Sequence, residues 1–160
     1  MTARGFCLAA MVMLGSTAAT AQDVDWRRYV VAQSGAAVDL PTAIFSQDAG
    51  APQPGYGRRF LTPDSRANLT IQSFPNDAQL SPAAFLAKQR PPSGIIYRKV
   101  TSGFFVVSSI RDNKIWYSRC NAGGRFMNCV LINYPAREKR NWDAVVTRIS
   151  NTLSSGRYTR

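Results

Sequence analysis

The sequence has no histidine and only one glutamate, Glu138. Without histidine the commonest general base and proton shuttle is missing, and no Ser-His-Asp or Cys-His relay can be assembled. Paired-carboxylate chemistry needs two acids on one site. Here Asp39, Asp64, Asp77, Asp112 and Asp143 are scattered, mostly in turns and at element ends, where aspartate serves structure. Cysteine is scarce too: Cys7, Cys120 and Cys129. A zinc site wants four ligands, typically with histidine, so a resident metal is not expected. A redox pair would read C-x-x-C, and the 120/129 spacing is far wider. The stretch "NAGGRF" lacks the lysine, the spacing and the following helix of a phosphate loop. No cofactor is implied. The inventory reads as non-enzymatic.

Long apolar runs are also lacking. The longest lies at the start, where "MTARGFCLAAMVMLGSTAATAQ" places Arg4 before an apolar run from Gly5 to Gly15. Small residues follow, ending in Ala19-Thr20-Ala21. That is the layout of a secretory signal peptide cleaved after Ala21. The run is too short for a spanning helix, which takes about 20 residues. We therefore expect residues 1–21 to be removed, 22–154 to form one domain, and 155–160 to fray as a basic tail. The mature chain has no second run long enough to cross a membrane. A periplasmic or secreted protein is the expectation.

Cleavage removes Cys7 and leaves an even pair, which in an exported chain reads as a disulfide. Cys120 and Cys129 flank the turn signal Ala122-Gly123-Gly124. If the chain turns there and pairs positions summing to 249, the two cysteines face each other directly on one face of a hairpin.

What is present in excess is positive charge. Lys and Arg number 20 against 9 acids, for a net charge of +11. Such a balance favours anionic partners, although it also suits a merely soluble exported protein. The segment "AREKR" puts Arg137, Lys139 and Arg140 at the start of a helix, whose free N–H groups already attract anions. Either Glu138 and solvent absorb that charge, or the cluster holds an anion. Arg58-Arg59 and Arg98-Lys99 are further basic pairs. The candidate anion site is thus Arg137, Lys139 and Arg140, extended by Arg58 and Arg59. Nucleic acid is a poor partner for an exported chain with no recognition module.

Periodicity supplies the elements. Trp26–Ala32 and Ala37–Leu40 read as strands broken at Gly35. Ser46–Gly57 is a Pro/Gly-rich loop, exposed and available to a protein partner. Pro63-Asp64-Ser65 turns a hairpin whose second strand alternates Leu69 and Ile71 with polar neighbours. Ser81 caps a short helix with Pro82 at its first position and Pro91-Pro92 after its end. Phe85 and Leu86 face the core. Phe104–Ser109, apolar on both faces, reads as a central strand. Ile115 and Tyr117 should share a core face with Val130, Ile132 and Tyr134. The other face carries Trp116, Ser118 and the cysteines, and Trp116 needs a cover. Trp142, Val145, Val146, Ile149 and Leu153 recur at helical spacing. The class is α+β: an antiparallel sheet of about six to seven strands, a long C-terminal helix on one face and a short helix in the middle. The short helix and the N-terminal segment are placed on the other face.

The runs "AAVDLPTAIF", "FFVVSSIRDNKIWYSRC" and "LINYPAREKRNWDAVVTRISNTL" resemble small exported bacterial proteins with a PsbP-like α/β/α sandwich. The matching features are the "DLP" strand end, the "FFVVS" strand and the "YP" that leads into a closing "VVTRIS" helix. The resemblance spans most of Val24 to Leu153. It implies that fold and a non-catalytic accessory or ligand-binding role, and it transfers no functional residue. The cysteine pair is not part of the general fold. Two roles follow as expectations: recognition of an anionic envelope component, or contact with a protein partner through the Ser46–Gly57 loop. Intact mass of the exported protein should show a chain starting at Gln22 and two hydrogens lighter than its reduced form; two free thiols would refute the bridge.

Overall fold

A computed structural model of the chain describes residues 24–90 and 93–156. The expected cleavage site and the end of the tail lie outside the described residues. Nine strands form: β1 (Trp26–Val30), β2 (Ala37–Pro41), β3 (Gln47–Asp48), β4 (Tyr56–Leu61), β5 (Asn68–Pro75), β6 (Ile95–Val100), β7 (Phe104–Arg111), β8 (Lys114–Gly123) and β9 (Phe126–Pro135). Two helices accompany them, α1 (Pro82–Gln89) and α2 (Lys139–Thr152), the second preceded by a 3₁₀ turn over Ala136–Glu138. The main sheet has seven antiparallel strands in the order β3-β4-β5-β9-β8-β7-β6, and β1 and β2 form a separate hairpin. This is the α+β class expected from the pattern.

The β8–β9 hairpin sets the register of the sheet. Its register pairs Ile115 with Tyr134, Tyr117 with Ile132 and Cys120 with Cys129, each pair summing to 249. Gly124, at φ +63°, occupies the first position of the two-residue turn, which favours glycine there. The β7–β8 turn uses Asp112 and Asn113, both at positive φ, the backbone of a two-residue hairpin turn that matches strand twist. The cysteines are bridged, with Cα atoms 4.1 Å apart, close to the spacing of a non-hydrogen-bonded antiparallel pair.

Period-two alternation then sorts side chains to two faces. Leu69, Ile71, Ile115, Val130, Ile132 and Tyr134 point one way and are buried beneath α2 and the β1–β2 hairpin. From α2, Val146, Ile149 and the cap residue Leu153 enter this core, and Trp142 stacks on Tyr134 with ring centroids 5.3 Å apart. Each fully buried aliphatic side chain there contributes roughly 1.5–3 kcal/mol. On the other face Phe105, Val107, Met127 and the cysteines meet Phe85 and Leu86 of α1. Ser81 Oγ accepts the Ala84 N–H, Pro82 follows it, and Arg90 closes α1 in the left-handed conformation.

Three placements differ from the expectation. The N-terminal hairpin lies on the α2 face, not with the short helix. That apolar face is wider than one helix, and the hairpin completes its cover through Val31, Val38 and Leu40. Arg28 ties it to the end of α2 through Thr152 O and Ser154 Oγ, and Ser34 bonds to Ser73 of β5 at 2.7 Å. Strand β7 is next to the edge rather than central; β9 is central. Strand β7 is buried on both faces because α1 covers Phe105 and Val107, while Val106 shares a hollow with Lys99, Phe104 and Arg119. The 46–57 segment is pinned rather than free: it contributes β3 and the first residues of β4, and Gln72 Nε2 donates to Pro54 O. After α2, Ser154 bridges to Ala37 and Ser155 Oγ donates to Ala122 O.

Replacing both bridged cysteines (Cys120→Ala with Cys129→Ala) should leave the fold intact and cost about 2–3 kcal/mol, the chain-entropy value for so short a loop. Urea unfolding of the oxidised parent and the variant measures this. A loss under about 0.5 kcal/mol would mean that the bridge constrains little.

Candidate functional site

The acids decide where the surplus charge lies. Among the described residues every carboxylate sits within ion-pair distance of a cation. Asp25 pairs with Arg27, Asp39 with Arg28 and Arg148, Asp48 with Arg58, and Asp77 with Arg125. Asp64 and Glu138 share Arg66, Glu138 also approaches Arg137, Asp143 holds Lys139, and Asp112 lies 3.9 Å from Arg111.

This pattern divides the expected anion site. Arg137 belongs to the 3₁₀ turn and lies 3.8 Å from Glu138, while Lys139 makes an i,i+4 pair with Asp143 at 2.8 Å. Arg58 is 3.3 Å from Asp48. Arg59 reaches the Ala49 carbonyl. Arg140 alone of the helix-start cations has no carboxylate partner among the described residues. No described hydrogen bond or ion pair joins Arg58 or Arg59 to the helix start.

Apart from Arg59 on β4, the other described cations without such a partner are Lys88 and Arg90 at the end of α1, Arg98 and Lys99 on β6, and Lys114 and Arg119 on β8. All of these lie on or against the β6–β8 half. Strand β6 is an edge strand, and Ile95, Ile96 and Tyr97 beside its cations are each about half exposed. On the α2 face of this half, a hollow of about 240 Å³ is lined by Tyr97, Lys99, Phe104, Tyr117 and Arg119. The Phe104 ring lies 5.7 Å from Lys99 Nζ and 4.6 Å from the Arg119 guanidinium. Tyr117 Oη and Ser150 Oγ are 2.5 Å apart, and burial pushes the Tyr117 hydroxyl pKa up.

On the α1 face lies a groove of about 380 Å³. One wall is α1, through Leu86, Gln89 and Arg90. Its floor is Val107, Ser118 and Leu131, with Thr70, Gln72 and Asn133 toward β5. Trp116 and Arg111 close one end, the guanidinium 4.4 Å from the indole centroid. The expected cover for Trp116 is therefore a stacked arginine from the neighbouring strand. No carboxylate lines the groove. Arg90, Arg111 and the groove itself were not singled out from sequence; the one signal was Trp116, an indole on a half-polar strand face.

The chain superposes on cyanobacterial PsbP (CyanoP) of Synechocystis sp. PCC 6803 with a TM-score of 0.61, over 89% of this chain and 98% of that one, at 11% sequence identity. The fold is PsbP-like. The yeast (Saccharomyces cerevisiae) Ran-binding protein Mog1p is also similar, with a TM-score of 0.53 over 82% of this chain and 96% of its own, at 8% identity. No protein-family model and no curated protein matches the sequence. Among the described residues no helix is long and apolar enough to cross a membrane, and no cluster of His, Cys, Asp or Glu could hold a metal ion.

The Arg66 network gives this PsbP-like domain a pH signature. Hydrogen bonds from Arg66 and then Thr62 hold the Asp64 carboxyl well below its ordinary 3.8. For Glu138, desolvation pushes upward, but bonds from Arg66 and Trp142 outweigh it, and its pKa falls below 4.5. Depressed folded-state values stabilise above the unfolded pKa and lose that contribution as pH falls through the folded one. Arg66→Gln should therefore lower the urea midpoint most near pH 6, and the gap to the parent should narrow steadily as pH falls below about 4. A gap that does not change with pH would show that Arg66 acts through packing alone.

Proposed function

We propose that the protein is an exported, non-enzymatic binding module that recognises an anionic component of the cell envelope through its β6–β8 half. One observation carries the reading: the described acids are spent on pairing, and the cations left without them, Arg59 and Arg140 excepted, gather on that half. An unpaired arginine or lysine at an exposed edge keeps its charge for a partner, whereas a paired one offers an approaching anion a neutralised dipole. The closed Cys120–Cys129 bridge suits an oxidising compartment, and the leader-like N-terminus agrees. An accessory or binding role is also what the PsbP-like fold suggests, since CyanoP and Mog1p share the architecture and Mog1p is a Ran-binding protein.

Of the two expected routes to a partner, the 46–57 loop is tied down by β3, β4 and Gln72, and three of the five expected anion ligands already face carboxylates. The basic edge strand is the better candidate. Each exposed cation near an anionic surface is worth about 1 kcal/mol. The double variant Arg98→Gln, Lys99→Gln should then bind phosphatidylglycerol vesicles roughly thirtyfold more weakly than the parent at low salt. The triple variant Arg137→Gln, Lys139→Gln, Arg140→Gln should change binding far less. Co-sedimentation with phosphatidylglycerol and phosphatidylcholine vesicles, at low and physiological salt, measures both. Loss in the triple variant with retention in the double one would return the site to the helix start. No binding by the parent would remove anionic lipid as the partner.

A further inference from the structure

We propose that the groove between α1 and the sheet binds a small anionic amphiphile, its carboxylate or phosphate held at the Arg111 end and its apolar body lying along Leu86, Val107 and Leu131. The inference extends the anion-binding reading to a second site on the opposite face of the same half.

The size is right for such a ligand: about 380 Å³ falls within the range of small-molecule pockets. The lining has the same division of labour, an apolar floor and wall with a few convergent polar groups. Leu86, Val107 and Leu131 form the apolar stretch, and Thr70, Gln72, Ser118 and Asn133 supply neutral hydrogen-bonding groups. Two arginines and no acid line it, so the charge complementarity has one sign. Arg111 has no carboxylate closer than Asp112 at 3.9 Å, and its planar fork suits a carboxylate or phosphate. Arg90 is held at the mouth in the left-handed conformation, φ +52°, where its own N–H caps Ala87 O. For a residue with a side chain that conformation carries a cost of about 1 kcal/mol, and asparagine or glycine is the usual choice at such a stop.

A second observation points to the same end. Ser109 is fully buried and its hydroxyl has no hydrogen-bond partner among the described residues; the same holds for the Trp116 indole N–H. The two residues face each other across β7 and β8, on the side of the sheet that carries the groove. Buried donors without acceptors are uncommon and call for an explanation. Of the two, Trp116 lines the groove beside Arg111, so a ligand anion drawn there brings acceptor oxygens to the end where the indole donor lacks one.

The test is calorimetric titration of the mature protein with dodecanoate, dodecyl phosphate, dodecylammonium and acetate, with tryptophan emission as a second readout. Dodecanoate or dodecyl phosphate should bind, and comparing the two identifies the head group. Dodecylammonium and acetate should bind at least about tenfold more weakly, one carrying the opposite charge and the other lacking the chain. Arg111→Gln should weaken dodecanoate or dodecyl phosphate by about tenfold or more. Arg90→Gln serves as the second variant if Arg111→Gln folds poorly. Leu131→Asn should weaken the long-chain anions and leave acetate unchanged. Arg98→Gln with Lys99→Gln should leave the groove unaffected. Equal affinity for dodecanoate and dodecylammonium, or full affinity in both arginine variants, would overturn the proposal. Vesicle binding without binding of either long-chain anion would overturn the groove alone, whereas long-chain anion binding without vesicle binding would support the groove and reject only the edge-strand reading.

Discussion

The register of the β8–β9 hairpin is the constraint on which the rest depends. A slip of one residue would turn every side chain of a strand to the opposite face. Ile115, Tyr117, Val130, Ile132 and Tyr134 would leave the α2 core, and Trp116 and the cysteines would enter it. Two independent features hold the register. The glycine at the first turn position sets the phase, and the Cys120–Cys129 bridge locks it four pairs from the turn. Because β9 is the central strand and β8 its neighbour, this phase passes to β5 and β7 through the ladders on either side. Both core clusters inherit their composition from it.

The two faces are then covered unequally. On one side a fourteen-residue helix and a hairpin share the work. On the other there is α1, with eight residues. At 1.5 Å per residue α1 spans about 12 Å, while seven strands at about 4.8 Å spacing span about 29 Å. One short helix cannot close that face. It packs where the sheet is most apolar, over Phe105, Val107, Met127 and the disulfide, and the strip toward β5 and the open end of β7 is left as a groove. The strip carries Thr70, Gln72, Ser118 and Asn133, side chains that accept partial exposure without the cost of an uncovered aliphatic face. The groove is thus a consequence of helix length and strand composition together.

Much of the architecture was readable because it depends on local rules. The hairpin register follows from a turn signal and two cysteines at matched distances. The capped helix follows from Ser81, Pro82 and the prolines after Gln89, and the core face of α2 from its 3.6-residue spacing. The hairpin's side of the sheet was not readable. An amphipathic strand pair fits either face, and the choice rests on contacts such as Ser34 with Ser73 and Arg28 with Thr152, which join residues far apart in the chain. Strand β7 illustrates a related limit. Burial on both faces looks the same for a central strand and for a strand one in from the edge, when a helix covers one side and long side chains shade the other. For the site, the Lys139–Asp143 pair was visible as i,i+4 spacing, but Arg66 reaches Glu138 across 72 positions. Without that contact the helix-start cluster looks more available than it is.

Charge placement connects fold and function more closely than total charge does. Apart from Asp77 and the exposed Asp112 of the β7–β8 turn, the described acids cluster around the N-terminal hairpin, the β3–β4 edge, the β4–β5 turn and the start of α2, where they pair with arginines and lysines. Strand β6 has none. Counter-ions screen exposed charges over about 8 Å at physiological ionic strength, so an approaching anion responds to the local balance and not to a net +11. One end of the molecule presents compensated pairs and the other presents Arg98, Lys99 and Arg119 without acids beside them. The same cations protect an edge strand that carries half-exposed isoleucines, since charge on an open edge opposes pairing with a second copy. The charge that opposes edge pairing on β6 is thus the same charge that the proposed anion recognition would use.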